Sequence, residues 1–333
     1  MRKRKIMRCA AILALLLPLL LAGCRQKPAE EPRWVREDYL LPAGWEPGPI
    51  QSCAGGTLSV IGKHLADEQV CLFTLAEGGG VLERQDLSAA SRLSPIRWEG
   101  STFYGIRRTD GGRFYERYAE DGTPLESVPL DGLTGAADFH PFDVFRQADG
   151  TLYLLSHHIA AVVPAEGDTV VVETNVRFEL LTLFPAPNGE VWVWERTERG
   201  YGIVRVDVDA AKFCDLVFLP KNPEELENPL AFRDLAVLGF DAEGRFLWAE
   251  ADGINAVVFG EDGVTRARLL DYDDFGLDVA KYAASLLSDG RTLVYRRREV
   301  ENPPSEGESD EAYQARTGGA RWLTKFVVLR RAG

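Results

Sequence analysis

The chain has 333 residues, of which 45% are hydrophobic and 10% aromatic, and it carries a formal net charge of −13. That apolar fraction excludes a disordered chain. The acidic balance argues against nucleic acid or an anionic lipid surface as the main partner. The length fits one long all-β domain or two average domains.

The first 23 residues have three parts. Arg2, Lys3, Arg4, Lys5 and Arg8 form a positive start, Cys9 to Leu21 is an apolar run, and Leu21-Ala22-Gly23-Cys24 closes it. A charged start, a short apolar run and small residues at the cut make a secretory signal. The run is too short and too abruptly ended for a membrane span. Leu-Ala-Gly-Cys at 21–24 resembles the lipobox of bacterial lipoproteins. The resemblance implies cleavage before Cys24 and a diacylglyceryl group on its sulfur. Two acyl chains hold a protein stably at a bilayer, where one does not. The expected organisation is therefore a signal peptide at 1–23, a lipidated cysteine and polar tether at 24–32, and a folded domain at 33–333. The domain would sit on the extracytoplasmic side, at the cell surface or in a periplasm. With the five basic residues of the leader removed, 33 basic residues face 51 acidic ones, a net charge of −18.

The body is organised by a repeat. AGGTLSVIG (54–62), EGSTFYGIR (99–107), DGTLYLLS (149–156), NGEVWVWE (188–195), EGRFLWAE (243–250) and DGRTLVYR (289–296) are six versions of a glycine turn followed by an apolar strand. The marker glycines Gly56, Gly100, Gly150, Gly189, Gly244 and Gly290 are separated by 44, 50, 39, 55 and 46 residues. A period in the forties with several strands per unit is that of a propeller blade. The second unit reads as four strands, near 96–98, 102–108, 113–119 and 123–130. Asp-Gly and Glu-Gly turns separate them, where glycine supplies positive φ without strain. Trp192, Trp194 and Trp248 lie within such strands and are expected in the core. Two segments, 222–230 and 310–316, read as short helical turns within loops.

The last unit has three strands: 281–287, 292–298 and 322–330. The segment 33–41 is expected to supply the fourth, which would close the ring and remove a sheet edge. The fold class is therefore all-β, a propeller of six four-stranded blades, with five or seven blades left open by the spacing. The pattern resembles bacterial β-propeller lipoproteins in architecture. It matches no named repeat, and a fold alone confers no activity.

The longer connections, 88–95, 131–141, 220–233, 271–279 and 299–319, should share one face of the ring. Long loops on a rigid scaffold are where function usually sits. All four histidines fall in or beside them: His64, His140, His157 and His158. With Asp138 and Asp143, they supply the residue types of a divalent-metal site. Asp271, Asp273 and Asp274 open like a calcium loop, but Phe275 and Tyr282 stand where that loop needs ligands. No cofactor is implied. Cys53, Cys71 and Cys214 have no metal spacing, and an odd count leaves at least one unpaired. There is no nucleophile elbow and no phosphate-binding loop. The sequence thus reads as a monomeric, membrane-anchored binding or scaffold module for a protein, peptide or glycan. The alternative is a metal-dependent propeller enzyme. Six-bladed lactonases, lyases and glycosidases resemble the chain in outline.

Overall fold

The computed structural model describes residues 34–136, 139–173, 179–197, 200–218, 236–250, 252–260, 263–277, 283–300, 305–317 and 322–331. The signal, Cys24, the tether, Asp138 and the segment 222–230 lie outside them.

Among the described residues, twenty-four strands form six four-stranded sheets. The first blade is β2 (Trp45–Ala54), β3 (Thr57–His64), β4 (Val70–Ala76) and β5 (Val81–Asp86). The second is β6 (Leu93–Glu99), β7 (Thr102–Thr109), β8 (Gly112–Ala119) and β9 (Pro124–Pro129). The third is β10 (Asp143–Arg146), β11 (Leu152–Leu155), β12 (Ile159–Val163) and β13 (Val170–Glu173). The fourth is β14 (Glu179–Pro185), β15 (Val191–Thr197), β16 (Gly200–Asp207) and β17 (Lys212–Phe218). The fifth is β18 (Ala236–Phe240), β19 (Phe246–Glu250), β20 (Gly253–Gly260) and β21 (Gly263–Asp271). In the sixth, β22 (Ala283–Leu286), β23 (Thr292–Val300) and β24 (Trp322–Arg331) are followed by β1 (Trp34–Leu41) on the outside. The N-terminal strand thus closes the ring, and the blade count is six. One helix, α1 (Asp310–Thr317), lies in the β23–β24 connection, where the sequence pattern placed a helical turn.

The glycine turns explain themselves. Asp149, Asn188, Asp241 and Asp289 each accept, through a side-chain oxygen, the backbone N–H two residues on. Gly150, Gly189 and Gly290, next in sequence, and Gly244, three residues after Asp241, all have positive φ. An Asx turn with a left-handed residue behind the Asp or Asn is what these short links require. Gly105 has a different reason: a Cβ there would run into the carbonyl oxygen of Pro95 on β6.

Apolar side chains from facing sheets make the core, so it lies between blades. Ile61, Leu72, Leu87, Leu93 and Phe103 join the first blade to the second. Tyr104, Ile106, Val144 and Leu154 join the second to the third. Trp192, Phe240, Phe246 and Trp248 join the fourth to the fifth, and both tryptophans are buried as their strand positions predicted. The closing contact is partly polar. Tyr39 is fully buried, and its hydroxyl donates to Glu37 at 2.6 Å. Arg330 Nη2 reaches the same carboxylate at 2.9 Å and Cys53 Sγ on β2 at 3.3 Å. One polar knot therefore ties β1, β24 and β2 together.

Candidate functional site

Topology defines two faces. Each inner strand begins at one face and ends at the other, so the first-to-second and third-to-fourth turns share one side, the turn face. The second-to-third turns and blade-to-blade connections share the other, the loop face. The connection containing α1 and the one after β21 both lie on the loop face. His64, at the end of β3, and His157 and His158, between β11 and β12, do too. His140 lies in the connection from β9 to β10.

Sharing a face does not bring these groups together. His64 Nδ1 is 2.7 Å from Asp67 Oδ1, and its ring lies 4.9 Å from that of Trp45. His140 Nδ1 is 3.0 Å from the Arg113 guanidinium, which makes that nitrogen an acceptor. His157 packs on Phe142 at 4.9 Å and lies 6.4 Å from the ring of His158. Asp271 accepts from Arg268 at 2.8 Å. Asp273 and Asp274 open a single 3-10 turn, closed by Gly276 in the left-handed region. No three His, Cys, Asp or Glu side chains converge as metal ligands among the described residues. Asp143 is drawn elsewhere, into an ion pair with Arg97.

Among the described residues, Cys53, Cys71 and Cys214 are free thiols, and the first two are buried. Burial is the main force pushing the Cys53 and Cys214 thiols above their ordinary range. A raised thiol pKa leaves less of the nucleophilic thiolate at neutral pH.

A cavity of about 380 Å³ lies in the axial channel, lined by the inner strands of all six blades. Ile50, Ile96, Phe145, Phe184, Phe240 and Leu286 form much of its wall. These residues sit in the second half of their strands, so the cavity lies toward the turn face, away from the histidines. Its size falls in the range of small-molecule pockets, and apolar and polar surface share its lining. Gly239 has φ of +106°, and a Cβ there would sit 2.9 Å from the Phe184 ring. The glycine lets that ring pack against the inner strand of the fifth blade.

Among the described residues, Arg97 is the one charged side chain of this lining. Its Nη2 meets both oxygens of Asp143, at 2.9 and 2.8 Å, and the Leu183 carbonyl at 3.1 Å. Asp143 also accepts the backbone N–H groups of Val144 and Leu183, both at 2.8 Å. One ion pair thus links the inner strands of the second, third and fourth blades. The sequence reading did not find these channel residues. A signal existed: Phe145, Phe184 and Phe240 each stand four or five residues before a marker glycine.

No family model and no curated protein matches the chain. Solved structures do. A Bacteroides fragilis chain described as an exported protein aligns at TM-score 0.45 and 11% identity, over 90% of this chain and 96% of that one. YCF48 from Cyanidioschyzon merolae aligns at 0.48 and 13%, over 90% and 98%. XC5397 from Xanthomonas campestris, a gluconolactonase, aligns at 0.42 and 11%, over 88% and 97%. What the chain has in common with these proteins is its architecture, and they carry no argument about its activity.

Proposed function

We propose that the chain is a lipid-anchored extracytoplasmic binding module that captures a protein, peptide or glycan with its loop face. The observation that carries this reading is where β1 joins the ring. Near its start, Glu37 meets Arg330 at the end of β24. The backbone carbonyl of Asp38 accepts from Gly78, in the third-to-fourth turn of the first blade, at 2.8 Å. The chain therefore comes into the ring on the turn face. A tether of residues 25–32 spans at most about 30 Å when extended. If Cys24 carries lipid, the turn face is held near the bilayer and the long connections face outward. The separate partners of His64, His140 and Asp271 favour binding over metal-dependent catalysis.

Photo-crosslinking in the cells that make the protein tests this. A benzophenone side chain is placed at His158 or Asp274 on the loop face, or at Asp121 or Ser288 on the turn face. Discrete high-mass adducts from the first pair only are expected. Adducts from the turn face only, or none from either, would overturn the reading.

A further inference from the structure

We infer that the channel cavity is a second binding site, for a small, neutral, largely apolar molecule carrying one hydrogen-bond acceptor such as a carbonyl. The site is distinct from the loop face and does not depend on what that face binds. Its wall is two-sided. Phe184, Leu238, Phe240 and Leu286, from the fourth, fifth and sixth blades, are apolar. Arg97 and Tyr104, paired across β6 and β7 of the second blade, bring polar groups.

Those polar groups are donors with capacity left. Arg97 uses Nε and Nη2 on Asp143 and Leu183, while its Nη1 bonds to no described residue. The Tyr104 hydroxyl accepts the Arg146 backbone N–H at 3.1 Å, and its own proton goes to no described residue. That side chain is 2% exposed. A donor-rich wall is complemented by an acceptor on the ligand.

Charge decides which acceptor. Arg97 and Asp143 neutralise each other, at 2.8 Å. A buried anion would be a third charge with no counterion, and its desolvation would go uncompensated. A carbonyl or ether takes the same donors without that penalty. The apolar, ring-rich far wall then accepts the body of the ligand.

The test uses two naphthalene dyes of similar size on the full-length chain held in amphipol. One is 6-propionyl-2-dimethylaminonaphthalene, neutral with a single carbonyl. The other is 8-anilino-1-naphthalenesulfonate, an anion. The neutral dye is expected to bind saturably at one site, and the anion at least about tenfold more weakly. Ser288 is exposed at the channel mouth. Ser288→Trp should therefore plug the cavity without touching the core, and weaken the neutral dye at least about tenfold. Taking the difference between wild type and this variant cancels dye held by the polymer belt. Tyr104→Phe should shift the bound dye's emission to shorter wavelength, because a donor to the carbonyl is lost. Near-ultraviolet circular dichroism confirms folding of both variants. Unsaturable binding, equal binding of the anion, or affinity unchanged by Ser288→Trp would each overturn the inference.

Discussion

Replacing Arg97 with Met is the sharpest test of how the ring is held. The substitution keeps most of the aliphatic volume and removes the guanidinium. Asp143 is 5% exposed and would remain, with only the Val144 and Leu183 N–H groups to offset its charge. Leu183 O would lose its side-chain donor as well. Removing one partner of a buried ion pair costs about 3–5 kcal/mol. For a domain of this length each kcal/mol lowers Tm by roughly 2 °C, so a fall of roughly 6–10 °C is expected. Asp143→Leu in the Arg97→Met background removes the stranded charge. It should recover much of the loss, since an apolar replacement of the whole pair is often near neutral. Urea unfolding of wild type, both single variants and the double variant gives the coupling energy. A single-variant loss below about 1 kcal/mol, or losses that simply add, would refute the claim that this pair locks three blades.

Other expectations follow from the same structure. Tyr39→Ala empties a fully buried site in the closing strand and breaks the hydrogen bond to Glu37. It should cost about 3–5 kcal/mol in urea unfolding and expose β1 to early proteolysis. Glu195 is 2% exposed, and burial holds its carboxyl above the ordinary value of 4.5. The folded chain therefore keeps a proton that the unfolded chain has lost. Stability contributed by this group falls as pH rises from the unfolded value through the raised folded one. Glu195→Gln should flatten the pH dependence of Tm across that window; an unchanged slope would show the carboxyl ionises normally. Metal analysis after dialysis against a weak chelator should find no stoichiometric calcium, zinc or manganese. One equivalent lost on His140→Ala or Asp273→Ala would restore the enzyme alternative.

Much of the fold was legible because propeller turns leave a local signature. Asp149, Asn188, Asp241 and Asp289 with their following glycines mark the same corner in four blades. Strand ends fell within a few residues, as in the second blade. Ring closure was legible because the last unit lacked a strand and 33–41 read as one. The channel was not legible, because its lining depends on which way residues of six separate strands turn about a common axis. The Arg97–Asp143 pair is 46 residues apart and leaves no spacing rule to read. A shared face was legible for the histidines, but their local contacts were not. Topology put them on one face, where His64 meets Asp67 and His140 meets Arg113.

The central proposal is a propeller tethered by lipid on its turn face. Growth with radiolabelled palmitate, followed by isolation of the full chain and of its Cys24→Ser variant, tests that claim most directly. Label in the membrane-bound wild type and none in Cys24→Ser is the predicted result. An unlabelled wild type, or equal label in the variant, would contradict it.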